Sequence, residues 1–255
     1  MTRERHVLTL NRLHPSPGAE VAALEAYAHP GDGRHLRANM VASVDGAAVV
    51  EGRVRALSGP ADFQLLLLMR GLCDVLLVGA GTIRAEGYGA VKAPAEVAEV
   101  RREAGQLEHP RLAVLSRSLD LDLGSRAFAD APERPLVLTT ELADSARVRE
   151  VEGVAEVLVA GEESVDLGAA LDLLEQQGLS RILSEGGPQA LAALYAADLV
   201  DELCLAVSPV VVAGQEARLT DGPALPTPVT VHLQAAYERD DFLFLSYGRG
   251  SSVHT

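Results

Sequence analysis

The sequence has few of the residues that disulfides and metal sites require. Its 255 residues include only two cysteines, Cys73 and Cys204, and each lies in an apolar stretch without a CxxC partner. Two reduced thiols in the core are therefore predicted. The seven histidines show no H-x-x-x-H or H-x-x-E spacing, so no metal site is expected.

Positive charge and long apolar runs are also scarce. Lys and Arg number 22 against 36 Asp and Glu, which argues against a nucleic-acid partner because binding a polyanion needs a basic surface. The longest apolar candidates, residues 65–69 and 207–213, are far shorter than the roughly 20 residues of a membrane span. Residues 1–12 lack the apolar stretch of a secretory signal. We therefore expect a cytoplasmic protein without a membrane partner.

Hydrophobic residues are plentiful, at 48% of the chain, and can fill the core of one sizeable α/β domain. Residues 1–34 are rich in Pro and Gly and are predicted to form an N-terminal arm. Residues 35–255 are predicted to form a single domain. Its first strand, at 35–43, is followed by a turn at Asp45-Gly46 and a return strand at 47–50.

Helix and strand patterns alternate along most of the remaining chain. This alternation predicts a parallel sheet with right-handed crossovers. Residues 229–236 and 242–247 leave no room for a crossover helix between them, so they should pair antiparallel. The predicted fold class is α/β, a mixed, mostly parallel sheet flanked by helices, with a C-terminal antiparallel hairpin. The expected helices are at 61–71, 96–108, 166–177 and 188–197, and the other strands at 74–78, 112–115, 136–139, 157–160, 181–183 and 202–207.

Two strand ends carry glycine-rich turns. The first, Gly79-Ala80-Gly81-Thr82, would let a phosphate or ribose approach backbone N–H groups, although it could equally be only a tight turn. The second, Ser184-Glu185-Gly186-Gly187-Pro188, is a better anion cradle because Pro188 suits the first turn of a helix. Glu185 should then lie at the ligand-binding edge of the sheet. A carboxylate that caps the following helix is the competing interpretation.

Two further strand ends carry polar side chains. Asp45, in Ser43-Val44-Asp45-Gly46, is a second candidate carboxylate, but a plain hairpin turn explains the motif as well. Ser116-Arg117-Ser118 offers hydroxyls and a guanidinium, which suit the 2′-phosphate that distinguishes NADP from NAD. An exposed loop without a ligand would have the same sequence.

Taken in order, these motifs resemble one known family. The ordered set resembles the riboflavin-pathway pyrimidine reductases, the reductase domain of a bifunctional deaminase/reductase, which have a dihydrofolate reductase-like fold. The match runs from about Arg37 to Tyr247. It consists of Ser43-x-Asp45-Gly46, Ser58-Gly59, Arg70-x-x-x-Asp74, Gly79-x-Gly81-Thr82, Glu185-Gly186-Gly187-Pro188, Leu199-Val200-Asp201-Glu202-Leu203, Pro209 and Gly214.

The resemblance implies a reductase alone, which binds NADPH and a small heterocycle, a pyrimidine phosphate. It would pass hydride to the opened ribosylamino side chain of that pyrimidine. It also implies a homodimer, to which the apolar run 203–212 could contribute. The implied activity is that of a 5-amino-6-(5-phosphoribosylamino)uracil reductase. Glu185 would face the substrate and act as the first catalytic candidate, with Asp45 second. The implied cofactor-binding residues are Ala42, Ser58, Thr82, Glu86, Ser184, Gly186, Gly187 and Pro188, to which the strand-end argument adds Gly79, Gly81, Ser116 and Arg117.

This chain departs from the family pattern in two places. The helix after Ser58 usually carries an Arg suited to the substrate phosphate, whereas this chain has Ala61-Asp62-Phe63-Gln64. The usual Asp-Asp-Pro after Thr82 is replaced by Glu86-Gly87-Tyr88-Gly89. The missing cation leaves open a non-phosphorylated or differently held substrate. Reduction of dihydrofolate or another pterin, and a regulatory module that binds NADP without turnover, remain alternatives.

Overall fold

In the computed structural model, which describes residues 8–31 and 33–250, the strands assemble into one mixed sheet. The strands are β1 (Thr9–His14), β2 (Glu20–Ala22), β3 (His35–Ser43), β4 (Val75–Gly79), β5 (Arg111–Leu115), β6 (Leu136–Thr139), β7 (Glu156–Val159), β8 (Arg181–Ser184), β9 (Glu202–Ser208), β10 (Val231–Arg239) and β11 (Phe242–Arg249). Their order across the sheet is β2-β1-β10-β11-β9-β3-β8-β4-β5-β6-β7. Neighbours from β9 to β7 run parallel, and neighbours from β9 to β2 run antiparallel. The predicted fold class is confirmed.

Helices cover both faces of the sheet. Leu76 and Val78 of β4 pack on one face with helix α2 (Pro60–Leu72). Val75 and Leu77 pack on the other face with helices α7 (Leu167–Gln176) and α8 (Pro188–Ala196). A strand buried on both faces needs apolar side chains at every position, which explains its unbroken apolar run. The helices are α1 (Ala23–Ala26), α2 (Pro60–Leu72), α3 (Ala80–Glu86), α4 (Ala98–Glu103), α5 (Arg126–Ala129), α6 (Ser145–Glu152), α7 (Leu167–Gln176) and α8 (Pro188–Ala196).

The N-terminal segment contributes two strands that the sequence patterns do not reveal. β1 pairs with β10 and extends the sheet beyond the C-terminal hairpin, and β2 pairs with β1. The Asn11 side chain donates a hydrogen bond of 2.8 Å to Glu238, 227 positions away. Local periodicity carries no information about a partner so distant in sequence. The division into an arm (1–34) and one domain (35–255) stays a prediction.

Two predicted elements differ in the structure. Residues 47–50 form only isolated bridges and no return strand. In the turn before them, the Ala47 N–H donates a hydrogen bond of 2.8 Å to the Ser43 hydroxyl. The charged helix expected at 96–108 is shorter, since a 3-10 turn at Ala95–Val97 leads into α4, which ends at Glu103. No helix in the described ranges is long and apolar enough to cross a membrane.

The apolar run 203–212 is buried in the sheet over part of its length and reaches the surface over the rest. Leu203, Cys204 and Ala206 are buried in β9, between β3 and β11. Beyond the strand Pro209, Val210 and Val211 are exposed, the two valines at 37% and 73%. The homodimer stays a prediction.

Candidate active site

A cleft of about 680 Å³ opens where β4 and β8 lead into the helices that follow them. This volume is typical of small-molecule sites, and ligands of open α/β sheets bind at this edge. The loop before α2, one face of α2, the end of α3 and the turn before α8 form its walls. Of the residues predicted for the site, those that line the cleft are Ser58, Thr82, Glu86, Glu185, Gly186, Gly187 and Pro188.

Glu185 lies in the cleft wall, where Arg70 and Tyr88 hold it. Arg70 donates two hydrogen bonds, from Nε to Oε1 at 2.7 Å and from Nη2 to Oε2 at 2.6 Å. The Tyr88 hydroxyl donates to Oε2 at 2.8 Å, and the Arg70 guanidinium carbon lies 5.1 Å from the Tyr88 ring centre. Burial, reinforced by the Glu185 charge, raises the pKa of Tyr88 well above its usual range. The cluster is thus a fixed, hydrogen-bonded carboxylate at the edge of the sheet.

Asp62 is a second carboxylate in the cleft wall. It is 8% exposed, and the Ser58 hydroxyl donates a hydrogen bond of 2.5 Å to its Oδ2 atom. Burial raises the pKa of Asp62; the Ser58 hydrogen bond opposes this shift, and the charge of Glu185 adds to it. Asp62, Leu66 and Arg70 are spaced four residues apart in α2, so they share the helix face that lines the cleft.

The two glycine-rich turns meet at this cleft. The Gly187 N–H donates to the Thr82 hydroxyl oxygen at 3.2 Å, which ties the start of α8 to α3. A Cβ atom at Gly186 would lie 2.4 Å from the Cβ of Ala190, so only glycine fits there. Pro188 is the first residue of α8, as predicted. Glu86, at the end of α3, accepts a hydrogen bond of 3.3 Å from the Val54 N–H.

The first glycine motif is not a turn between strand and helix. Gly79 ends β4 and caps α3, and Gly81 already lies in the first turn of that helix. Neither glycine lines the cleft, although a Cβ atom at either position would meet nothing within 4 Å. Their contacts with the cofactor stay a prediction.

Asp45 lies away from the cleft and lines a separate cavity with Gly214 and Arg218. Its carboxylate accepts hydrogen bonds from the Ser43 hydroxyl at 2.6 Å and from the Ala213 N–H at 2.7 Å. These bonds lower the pKa of Asp45 to about 2, so at neutral pH it has no proton to give. The structure therefore gives no geometric support to its selection as a second catalytic carboxylate.

Ala42, Ser116, Arg117 and Ser184, also predicted to bind the cofactor, do not line the cleft. The Ser116 hydroxyl is buried and accepts the Leu119 N–H at 3.0 Å, so it closes a turn and is not free for a phosphate. Arg117, next to it, is exposed. The Ser184 hydroxyl is buried beside the Gly186 N–H, 3.4 Å away, and Ala42 is buried in β3.

Several cleft residues have no assigned role in the sequence analysis, among them Arg55, Asp62, Arg70 and Tyr88. The polar residues at 62 and 70 interrupt an apolar helix at a spacing of eight, a signal that could have identified a functional face. Arg55 precedes α2 and is exposed, and among the described residues it forms no ion pair. No cluster of three or more metal-binding side chains occurs in residues 8–31 and 33–250.

Fold and cleft define the class of this chain, an α/β protein with a small-molecule cleft at the edge of its sheet, and the comparisons with known proteins show that it is a reductase. Residues 34–241 match the family described as the RibD C-terminal domain, and the chain belongs to that family, the riboflavin-pathway pyrimidine reductases. The predicted family is thereby confirmed. Reductases of this family use NAD(P)H.

Two relatives and one solved structure illustrate the similarity. A protein of Archaeoglobus fulgidus is 33% identical over 179 residues, 70% of this chain and 81% of the relative. One of Methanothermobacter thermautotrophicus is 28% identical over 214 residues, 82% and 95% of the two chains. Both are named 2,5-diamino-6-ribosylamino-4(3H)-pyrimidinone 5′-phosphate reductase. A pyrimidine reductase-like protein of Corynebacterium diphtheriae has a similar crystal structure, with a TM-score of 0.78, 28% identity, and coverage of 86% of this chain and 93% of that one.

Proposed function

We propose that this protein uses NADPH to reduce the ribosylamino side chain of a pyrimidine 5′-phosphate. One observation carries the proposal: the Thr82–Gly187 contact and the Glu185–Arg70–Tyr88 cluster lie in the same cleft. A reductase must hold its hydride donor and its substrate side by side, and this cleft has a glycine-lined part next to a part with charged side chains.

The glycine-lined part suits the cofactor. Gly186 and Gly187 present backbone without side chains, and α8 begins at Pro188 with its N-terminal N–H groups near the cleft. Thr82 and Ser58 add hydroxyl groups. These residues would hold the phosphates and ribose of the dinucleotide, which supplies a hydride when it is bound.

The preference for NADPH over NADH rests on Arg117. This arginine follows β5, whose last residue, Leu115, pairs with Gly79 at the end of β4. It is exposed, and a free guanidinium can bind a monoester phosphate with two parallel hydrogen bonds. Because the Ser116 hydroxyl is occupied, Arg117 is the side chain we assign to the 2′-phosphate.

The substrate part of the cleft contains a cation that replaces the missing helix arginine. Arg55 lines the cleft from the loop before α2, and we assign it to the substrate phosphate. Phe63, 52% exposed although it lies in the cleft wall, offers a flat surface on which a heterocycle can stack. Glu185, fixed by Arg70, orients the substrate.

Reduction adds a hydride to the imine-like carbon of the opened side chain and a proton to the adjacent nitrogen. The protein's own task is to position both ligands and to exclude water. Two rings fit this chemistry, the 2-oxo ring of the uracil substrate implied by the sequence motifs and the 2-amino ring named for the relatives.

The proposal is tested by following NADPH oxidation at 340 nm with each ribosylaminopyrimidine phosphate, with its dephosphorylated form, and with dihydrofolate. We expect turnover on a phosphorylated pyrimidine and none on dihydrofolate. Arg55→Ala should raise KM for the phosphorylated substrate about tenfold or more and leave the dephosphorylated one unchanged. Arg53→Ala, two residues away on the same loop, is the matched control. Tight NADPH binding without oxidation of any pyrimidine would refute the proposal in favour of a regulatory module.

A further inference from the structure

The cleft wall contains two buried carboxylates, Asp62 and Glu185, and they differ in how many of their oxygens already have partners. Asp62 accepts the Ser58 hydroxyl at Oδ2, while its Oδ1 atom accepts no hydrogen bond from residues 8–31 and 33–250. Both oxygens of Glu185, in contrast, are already bound by Arg70 and Tyr88. Of these two buried carboxylates, Asp62 is therefore the one with an oxygen that accepts no hydrogen bond from the described residues.

Removing most of the Asp62 side chain from solvent, at 8% exposure, costs free energy, and a ligand that donates to Oδ1 would offset part of that cost. Asp62 lies in the first turn of α2, where a negative charge also stabilises the helix, but an exposed acid would do that equally well. The position in the cleft wall and the unused oxygen together indicate a binding group whose partner is a hydrogen-bond donor.

The two candidate rings differ in what they present to a carboxylate. A 2-amino-4(3H)-pyrimidinone has an exocyclic N–H and a ring N–H side by side, two donors that match the two oxygens of an ionised carboxylate. A uracil-type ring has the ring N–H but a carbonyl oxygen at position 2. A carboxylate facing that oxygen loses one hydrogen bond and gains a repulsion.

We infer that Asp62 selects the substrate ring, favouring the 2-amino pyrimidinone over the 2-oxo ring; this rests on the proposed function. A site built to bind a donor rejects an analogue that lacks it by up to about 10⁴-fold when the site is fully desolvated. Since Asp62 keeps its Ser58 partner with either ring, we expect a smaller effect here, a preference of about 100-fold in kcat/KM for the 2-amino ring.

The inference is tested by measuring kcat/KM for both phosphorylated rings with wild type and Asp62→Asn. An amide presents one acceptor and one donor, which matches the 2-oxo ring, so the preference should fall at least tenfold. Asp62→Ala, which has no acceptor, should abolish the preference and is the second variant if Asp62→Asn does not fold. Asp172→Asn, on α7 at the opposite face of the sheet, is the control and should keep the wild-type ratio.

Calorimetric dissociation constants for the two rings separate this inference from the proposed function. If wild type reduces neither ring but binds the 2-amino ring more tightly, and Asp62→Asn removes that difference, the reductase proposal fails and the role of Asp62 stands. If both rings are reduced and the ratio is the same in wild type and both Asp62 variants, the role of Asp62 is refuted. A lower melting temperature with an unchanged ratio would also refute it, since it would leave Asp62 only a helix-stabilising role.

Discussion

At the scale of single residues, the cleft depends on partnerships between side chains far apart in sequence. Glu185 and its two partners are separated by 115 and 97 positions. The sequence could place Glu185 at the ligand edge, because it directly follows an apolar strand and precedes two glycines. It could not reveal Arg70 as the partner, since that contact requires the packing of α2 against β8.

Replacing Glu185 with Gln should reduce turnover on the pyrimidine at least tenfold and leave the dissociation constant of NADPH within about twofold. The amide removes the charge that fixes Arg70, but it touches none of the groups assigned to the cofactor. Stopped-flow turnover and fluorescence titration with NADPH measure the two quantities. Tyr88→Phe, which removes one hydrogen bond and no charge, is the milder comparison and should have a smaller effect. A large loss of NADPH affinity in Glu185→Gln would contradict the assigned role.

At the scale of elements, the cleft depends on how strands enter helices. Both α3 and α8 begin at or directly after a glycine, and these starts were predictable from the motifs. The backbone conformation directly after Gly79 was less predictable, because the local sequence allows Gly81 to belong to a turn or to a helix. The structure decides for the helix because Ala80 and Ile83 bury their side chains in the core.

Gly186→Ala tests the close contact between the turn and α8. The added Cβ atom would lie 2.4 Å from the Ala190 Cβ, so the backbone must shift, and we expect a loss of about 1–3 kcal/mol in the free energy of unfolding. Gly187→Ala is the matched control, since its Cβ atom would meet only the Thr82 hydroxyl, at 3.4 Å. Urea unfolding of the two variants makes the comparison. Equal stability of both variants would show that the turn relaxes without cost.

At the scale of the whole molecule, the sheet joins segments from both ends of the chain. The alternation of strands and helices predicted its parallel part, and the short loop before β11 predicted the hairpin. β1 and β2 escaped prediction because they are short, lie in a Pro-rich segment, and depend on a hairpin formed more than 200 residues later. Pairing of this kind is determined by the assembled sheet and not by the local sequence.

A buried ion pair links the parallel and antiparallel parts of this sheet. Glu202 of β9 accepts hydrogen bonds from Arg37 Nε of β3 at 2.8 Å and from the Ser246 hydroxyl of β11 at 2.7 Å. Burial alone would raise the pKa of Glu202, but hydrogen bonds from His35 and Ser246 and the charge of Arg37 outweigh it and lower the pKa to about 2, from an ordinary 4.5. The carboxylate thus stabilises the fold fully above pH 4.5.

This stabilisation should be lost as the pH falls from about 4.5 through about 2, because the unfolded chain then takes up the proton first. The loss is on the order of 3 kcal/mol by the usual conversion of a pKa difference. We expect Glu202→Gln to be less stable than wild type at pH 7, and the difference in free energy of unfolding to narrow steadily below pH 4.5.

Glu156→Gln is the control. Glu156 pairs with Arg111 at 2.9 Å with 41% of its side chain exposed, so solvent weakens the pair and the variant should lose little stability at either pH. Urea unfolding at pH 7, 4.5 and 3 measures the effect. A difference between wild type and Glu202→Gln that stays constant over this range would show that Glu202 titrates alike in the folded and unfolded chain, and that its contribution comes from packing alone.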